Sequence, residues 1–262
     1  MLRITVNDAL LFKYLLEEKF IHIDLLKKYL GSDYEESSYR RRLSSLKKEG
    51  YIKYENNPLD RKHLIFPTEK AKIIYEMKYD ELKEEVKMRN KTYLKYFRPS
   101  NYIVRNDFVF KDLYRNYLLT ELRFLMEELG VDYWIKNTMY YNEYTKNPDA
   151  IFSLGSKTCA INLIDSTRKF RDYEKDFIGY NDVKKINFTN IFYIFKYDDD
   201  FEFLSDIIKN KFIKELVGTN WKHKYRIAKY DDLENGKFIS YNPFENKKVN
   251  ISRQLEKYNA AK

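Results

Sequence analysis

Basic side chains are concentrated between Tyr39 and Lys62. The segment holds eight Lys and Arg residues against three acidic ones, in a chain whose net charge is +9. Arginine is the scarcer cation, with 14 of the 49 basic residues, yet it fills three consecutive positions from Arg40 to Arg42. Guanidinium groups bind guanine edges and phosphates through paired hydrogen bonds, whereas lysine supplies a point charge. The segment therefore has the chemistry of a nucleic-acid-binding surface.

The residues predicted to bind DNA are Ser38, Arg40, Arg41, Arg42, Ser45, Lys47, Lys48, Lys53, Arg61 and Lys62. Base contacts are expected from four of them: Ser38, Arg41, Arg42 and Ser45. Arg40, Lys47 and Lys48 are expected to position the protein on the DNA backbone. With about six to eight phosphate contacts, binding would fall by orders of magnitude between low and moderate salt. The alternative is a solvated helix face in a chain that is rich in lysine throughout.

Two aspartates in the second half, Asp149 and Asp165, are the candidates for metal chemistry. Carboxylates at adjacent strand ends can hold Mg²⁺, with help here from Glu121 or Glu127 at most. Lys157, Lys169 and Lys175 are possible catalytic lysines, and the sequence selects none of them. The alternative is that both aspartates face water or cap a turn.

Other classes of site are excluded by composition. A single cysteine, Cys159, rules out a disulfide framework and a Cys-based zinc site, and its mid-strand position predicts a buried structural thiol. The three histidines are far apart and lack ligand spacing. No apolar run approaches a membrane span, and no signal-peptide pattern opens the chain. We expect a cytoplasmic protein without a cofactor or a membrane partner.

Three helices and a hairpin are predicted to position the basic segment. Apolar residues at helical spacing indicate helices over Thr5–Glu18 and His22–Leu30. Asp33 offers an N-cap for a third helix, which buries Tyr39, Leu43 and Leu46 and ends at Gly50. Two strand-like runs then flank the turn-rich residues 56–60, which is typical of a β-hairpin.

This order of elements resembles a MarR-like winged helix-turn-helix. The resemblance is carried by Leu43, Leu46, Gly50, Tyr51 and Ile52, by the hairpin tip Asp60-Arg61-Lys62, and by Thr68-Glu69-Lys70 at the start of the next helix. It implies that the third helix reads the major groove of double-stranded DNA. Arg61 and Lys62 would then reach phosphates or the minor groove.

A long helix is predicted to follow, from Thr68 to Phe97. Its apolar residues recur at near-heptad spacing from Tyr75 onward. The helix either packs on its own winged domain or forms a homodimer. Arg98-Pro99 ends it and marks a domain boundary, so that the predicted divisions are 1–67, 68–98 and 99–262.

The second half is predicted to be an α/β domain. An amphipathic helix over 110–129 precedes strands at 133–141, 150–154 and 158–164, a helix at 171–185, and a buried strand at 190–195. A helix at 201–212 and a strand at 225–229 come before an irregular tail. This order predicts a mixed sheet with helices on its faces, and with the first half an α+β fold.

Pro148-Asp149-Ala150 followed by the strand 159–165 is similar to the core of PD-(D/E)xK nucleases. In that family an Asp and a Glu-x-Lys on neighbouring strands hold Mg²⁺ and steady the attacking water. Here Asn162-x-Ile164 or Leu163-x-Asp165 stands in place of Glu-x-Lys. The resemblance therefore implies a nuclease-like domain that does not cut, although a nuclease with a displaced lysine stays an alternative.

Taken whole, the chain resembles the replication-relaxation family of plasmid and mobile-element proteins. Pro148-Asp149-Ala150 and Asp165-Ser166-Thr167 look like two of its motifs. The resemblance implies a role in plasmid replication or conjugative transfer, with recognition of an origin-type site and recruitment of replication or transfer proteins. A MarR-like transcription regulator is the alternative of the same class.

Overall fold

The computed structural model describes residues 2–30, 36–85, 113–131, 133–136, 147–181, 188–209 and 224–260. The contacts between residues divide the chain into two units, Met1–Glu121 and Leu122–Lys262. The boundary predicted near Arg98 lies outside the described residues. Among the described helices, none is long and apolar enough to cross a membrane.

Helix α1 (Val6–Glu18) opens the first unit. Its N-cap is Thr5, whose hydroxyl accepts a hydrogen bond from the Asp8 backbone N–H. The Asp8 carboxylate in turn accepts a hydrogen bond from Thr5 N at 2.6 Å. This capping box satisfies backbone N–H groups that the first helical turn leaves without partners. The helix predicted over Thr5–Glu18 is confirmed.

The second helix is shorter than predicted. Strand β1 (Ile21–His22) comes first, followed by α2 (Ile23–Leu25), which continues as a π-helix over Leu26–Leu30. His22 belongs to the strand and not to the helix, because it pairs with Leu64 of the hairpin. Sheet pairing over a distance thus overrides the local helical pattern.

Helix α3 (Glu36–Lys48) buries Tyr39, Leu43 and Leu46, as their spacing predicts. Asp33, its predicted N-cap, lies outside the described residues. The backbone leaves the helix at Gly50, where φ is +76°, a conformation that glycine adopts without steric cost.

The predicted hairpin is confirmed as strands β2 (Ile52–Asn56) and β3 (His63–Pro67). The two strands pair antiparallel, and β1 adds to β3, so that the sheet order is β1-β3-β2. Asn57 N donates to Lys62 O at 2.7 Å, and Arg61 N donates to Asn57 O at 2.8 Å. These two hydrogen bonds join the two ends of the loop between the strands.

Helices α4 (Glu69–Glu85) and α5 (Leu113–Glu128) follow. Helix α4 packs on α1 and buries Tyr75 completely. These contacts agree with the prediction that the helix packs on its own domain. Residues 86–98 of the predicted long helix lie outside the described residues. Helix α5 crosses the division between the units, and its first residue, Leu113, packs with Phe20, Leu64 and Phe66 in the first.

The second unit is built on a mixed sheet, as predicted, and the sheet has seven strands where five were predicted. Its strands are β4 (Trp134–Lys136), β5 (Ala150–Leu154), β6 (Lys157–Ile164), β7 (Asn190–Phe195), β8 (Tyr225–Lys229), β9 (Ile239–Asn242) and β10 (Lys247–Asn250). They lie in sequential order across the sheet. Strands β6, β7 and β8 are parallel, and α6 (Phe170–Asn181) and α7 (Asp198–Lys209) lie in the segments that connect them. The remaining neighbours are antiparallel.

Aromatic side chains fill the space between α6 and this sheet. Phe177 of α6 meets Tyr225 of β8 edge to face, with ring centroids 4.9 Å apart, and also contacts Tyr193 of β7. Burial raises the pKa of the Tyr180 and Tyr193 hydroxyls well above the usual value, so both stay neutral. These aromatics belong to the core, as predicted for most of the tyrosines and phenylalanines.

The prediction of an irregular tail after residue 229 is wrong. Helix α8 (Tyr230–Glu234), the β9–β10 hairpin and helix α9 (Ile251–Ala260) occupy it. The hairpin turn is closed by the Asn242 side-chain oxygen, which accepts hydrogen bonds from the backbone N–H groups of Phe244 and Glu245. This Asx-type turn returns the chain for the last strand.

Candidate nucleic-acid interface

Helix α3 presents a continuous exposed stripe opposite its buried side. The stripe consists of Ser37, Arg41, Ser44 and Lys48, at spacings of four, three and four residues. Arg41 and Lys48 were predicted as DNA-binding residues. Ser37 and Ser44 were missed, although the helical period counted from Arg41 finds both of them.

One flank of this stripe faces the hairpin. Arg40 and Lys47 are exposed there, and the Lys47 ammonium lies 4.5 Å from the centroid of the Tyr54 ring on β2. Lys53 is exposed on the same strand. Burial raises the pKa of the Tyr54 hydroxyl, so the ring that supports Lys47 is uncharged. The cation–π contact holds the lysine between the helix and the hairpin.

The other flank contains the remaining predicted base contacts. Ser38 is exposed. Ser45 is half-buried, and its hydroxyl donates to the Arg41 carbonyl at 2.9 Å. Arg42 differs from its predicted role, because its guanidinium binds the Asp8 carboxylate and donates to the Arg3 carbonyl at 2.7 Å. Arg42 thus ties α3 to the start of α1.

The hairpin tip exposes Arg61 and Lys62. Arg61 has a φ of +59°, which is uncommon for a residue with a side chain. Lys62 N donates to Asp60 Oδ1 at 3.0 Å, and Lys62 Nζ to Asp24 Oδ2 at 2.5 Å. The two hydrogen bonds hold Lys62 at the hairpin tip, beside Asp24 and Asp60.

The first unit therefore carries a basic surface formed by α3 and the hairpin, which we term the α3–hairpin surface. Eight of the ten predicted residues are exposed, and the other two, Arg42 and Ser45, are half-buried. Because the buried stripe of α3 fixes the rotation of the helix, Arg41 and Lys48 point outward. The arrangement can neutralise phosphates and offer donors to base edges.

The two candidate aspartates of the second unit flank the neighbouring strands β5 and β6. Asp149 precedes β5, and its Oδ2 accepts a hydrogen bond from Leu163 N of β6 at 2.8 Å. Asp165 follows β6 and is half-buried. Glu121 binds Lys28 at 3.0 Å, and Glu127 binds Arg123 at 2.9 Å.

In the register Asn162-x-Ile164, the positions that the nuclease resemblance assigns to Glu and Lys carry neither a carboxylate nor a lysine. The β5–β6 register places Asn162 next to Asp149, and Asn162 Oδ1 accepts a hydrogen bond from the Tyr180 hydroxyl at 2.9 Å. Ile164 at the Lys position is fully buried. Within the described ranges, no three His, Cys, Asp or Glu side chains are grouped as a metal site requires. The candidate lysines Lys157, Lys169 and Lys175 are all exposed.

Cys159 is fully buried on β6, as predicted. Burial raises the pKa of its thiol to about 12. A thiol in this state is a poor nucleophile, because the thiolate is the reactive form.

Comparison of the chain with protein-family models, curated proteins and solved structures finds no match.

Proposed function

We propose that this protein binds double-stranded DNA through the α3–hairpin surface. The observation that carries the proposal is the exposed stripe of α3, with Arg41 and Lys48 directly opposite the buried Tyr39, Leu43 and Leu46. A basic helix whose rotation is fixed by its core contacts suits the width of the major groove. The scarcity of arginine elsewhere in the chain favours recognition over general charge.

The side chains divide into base-reading and positioning groups. Arg41 would contact base edges, with Ser37, Ser38 and Ser44 beside it, while Lys48 and Arg40 bind phosphates. Lys47, Lys53, Arg61 and Lys62 of the hairpin side would bind the backbone or the minor groove. Arg42 holds α3 in place, since its guanidinium is bound to Asp8.

The element order supports the finer interpretation of the first unit. Helix, short strand, helix, helix and hairpin, with sheet order β1-β3-β2, is the order expected of a winged helix-turn-helix. From α5 to β7, the order α-β-β-β-α-β is the one that the nuclease resemblance implies. We infer a non-catalytic role for the second unit, because neither Asn162-x-Ile164 nor Leu163-x-Asp165 supplies both the carboxylate and the lysine of the Glu-x-Lys pattern.

The resemblance to the replication-relaxation family extends the proposal to an origin-type site on a plasmid or related element. A transcription regulator would bind a promoter instead. Sequencing the genomic fragments that the purified protein retains separates the two roles. An origin or transfer region among the most enriched fragments supports the first role, and promoters support the second.

DNA binding itself is tested by fluorescence anisotropy with a labelled duplex at several salt concentrations. The variant Arg41→Ala with Lys48→Ala should lose affinity by about tenfold or more, and the slope of log K against log salt should become shallower by about one to two. Lys237→Ala, an exposed lysine of the second unit, is the matched control. Equal affinities for the double variant and this control would overturn the proposal.

A further inference from the structure

Lys62, one of the two cations at the hairpin tip, is held in an ion pair. Its ammonium lies 2.5 Å from the Asp24 carboxylate of α2. Both side chains reach solvent, with 55% of Lys62 and 37% of Asp24 exposed. The hydrogen bond and the charge of Asp24 raise the pKa of Lys62 above its usual value. The lysine is therefore charged at neutral pH, and a carboxylate of the same molecule already neutralises that charge.

The loop that carries Lys62 is anchored separately from this ion pair. Asp60 Oδ1 accepts a hydrogen bond from Lys62 N at 3.0 Å, and Asp60 Oδ2 lies 3.0 Å from His22 Nε2. The His22 side chain is only 6% exposed, and its backbone pairs with β3. These contacts hold the backbone of the tip beside β1. The ammonium sits at the end of a flexible four-carbon chain, so it can change its partner while the loop stays in place.

The two cations of the tip differ in their surroundings. Arg61 is exposed and has no ion pair among the described residues. Lys62 is paired with Asp24, and Asp60 adds a second carboxylate beside it. Apart from His22, two carboxylates thus offset the two cations of the tip. A DNA phosphate that approaches Lys62 therefore competes with a carboxylate that already occupies the ammonium.

The exposure of the pair permits this competition. Ion pairs between exposed side chains contribute little to folding, because water solvates both groups well. A phosphate offers the ammonium the same kind of charged acceptor as a carboxylate does. The closely spaced charges of a duplex also attract the cation strongly. When Lys62 moves to a phosphate, Asp24 is left without its partner and repels the DNA.

We propose that Asp24 restrains DNA binding: Lys62 exchanges Asp24 for a phosphate when DNA binds, and this exchange lowers the affinity of the α3–hairpin surface. Because the ion pair lies on that surface, the restraint rests on the proposed function. Asp24 is a positioning residue that acts on the DNA through Lys62. In the natural protein Lys62 contributes less to binding than Arg61, and its full contribution appears only when residue 24 is uncharged.

A double-variant cycle tests the exchange, with binding to a labelled duplex of mixed sequence followed by fluorescence anisotropy of the full-length protein. Asp24→Asn should tighten binding by about two- to fivefold. The slope of log K against log salt should also become steeper by about one, because Lys62 then neutralises a phosphate without giving up an internal partner. Lys62→Ala should weaken binding by less than about twofold in the natural protein, but by about two- to fivefold in Asp24→Asn.

Glu49→Gln is the control for a general effect of charge, because it removes an exposed carboxylate at the end of α3. In that variant Lys62→Ala should have the same small effect as in the natural protein. Measurable binding with an equal effect of Lys62→Ala in the natural protein and in Asp24→Asn would overturn the exchange alone. Absence of binding in every variant, Asp24→Asn included, would overturn the proposed function as well.

Discussion

Arg42 and Asp8 join two helices through a bidentate salt bridge. Arg42 Nε lies 2.8 Å from Asp8 Oδ1, and a second guanidinium nitrogen binds Oδ2 of the same carboxylate. Asp8 also accepts from the backbone and hydroxyl of Thr5, at 2.6 and 2.7 Å. One carboxylate therefore both caps α1 and orients the helix that bears the basic stripe.

Replacing Asp8 with Asn should destabilise the first unit. The variant loses the charge that binds Arg42 and weakens the capping box, which together should lower the free energy of unfolding by about 1–3 kcal/mol. Urea denaturation followed by circular dichroism measures the change. Asp199→Asn serves as the control, and an equal stability of the two variants would contradict the role of Asp8.

The Asp8 carboxylate should also make the stability of the first unit sensitive to acid. Burial raises the pKa of Asp8, but hydrogen bonds from Arg42 and Thr5 outweigh it and hold the pKa below the usual value. The stabilisation is therefore complete above about pH 4 and is lost as the pH falls through the lowered pKa. The stability difference between the natural protein and Asp8→Asn should shrink in that acid range. A constant difference down to about pH 2 would argue against it.

Substitutions of the neighbouring Arg41 and Arg42 should have different effects: the first should change DNA binding, and the second should change the stability of the first unit. Arg41→Ala should weaken DNA binding by about tenfold and leave the unfolding free energy within about 0.5 kcal/mol, because the side chain is exposed. Arg42→Ala should lower stability by about 1–3 kcal/mol, because it leaves the buried Asp8 carboxylate without its positively charged partner. Anisotropy and urea denaturation on both variants make the comparison. If Arg42→Ala keeps full stability but loses sequence preference in DNA binding, Arg42 contacts bases, as the sequence predicted.

The second unit should not cleave DNA. Supercoiled plasmid incubated with the protein and Mg²⁺ or Mn²⁺ should stay intact on an agarose gel, since neither Asn162-x-Ile164 nor Leu163-x-Asp165 supplies both a carboxylate and a lysine. Asp149→Ala is the matched control. Cleavage by the natural protein that disappears in this variant would identify a nuclease with a displaced lysine.

Cys159 should report the unfolding of the second unit. Its raised pKa of about 12 leaves roughly a thousandfold less thiolate than an ordinary cysteine has near neutral pH. Because the chain has one cysteine, a thiol-reactive dye gives an unambiguous signal. Labelling should be slow in buffer and rapid in guanidinium chloride. Rapid labelling of the native protein would show that β6 opens readily.

Sequence patterns predicted well where local periodicity and burial agree. The stripe of Tyr39, Leu43 and Leu46 gave the rotation of α3, and the apolar run of residues 190–195 gave a buried strand with its observed bounds. In both cases the residues that pack lie close together in the sequence. Local spacing is then sufficient to define the buried side.

Features that depend on distant partners were not predictable in this way. His22 continues the helical pattern of residues 22–30, yet its backbone pairs with Leu64 and its ring binds Asp60. Arg42 shares its local pattern with Arg41, and only the position of Asp8 separates their roles. The β9–β10 hairpin was missed because its strands are short and partly polar, with an Asx turn as the local signal.

The two outer strands of the large sheet bear on how this protein avoids aggregation. At one border, β10 carries the exposed Lys247 and Lys248; at the other, β4 is only three residues long. Charged and short borders discourage a strand of another molecule from pairing with the free backbone groups. Removing both lysines should therefore favour self-association of partly unfolded chains. The contacts within the folded unit alone would not predict this effect.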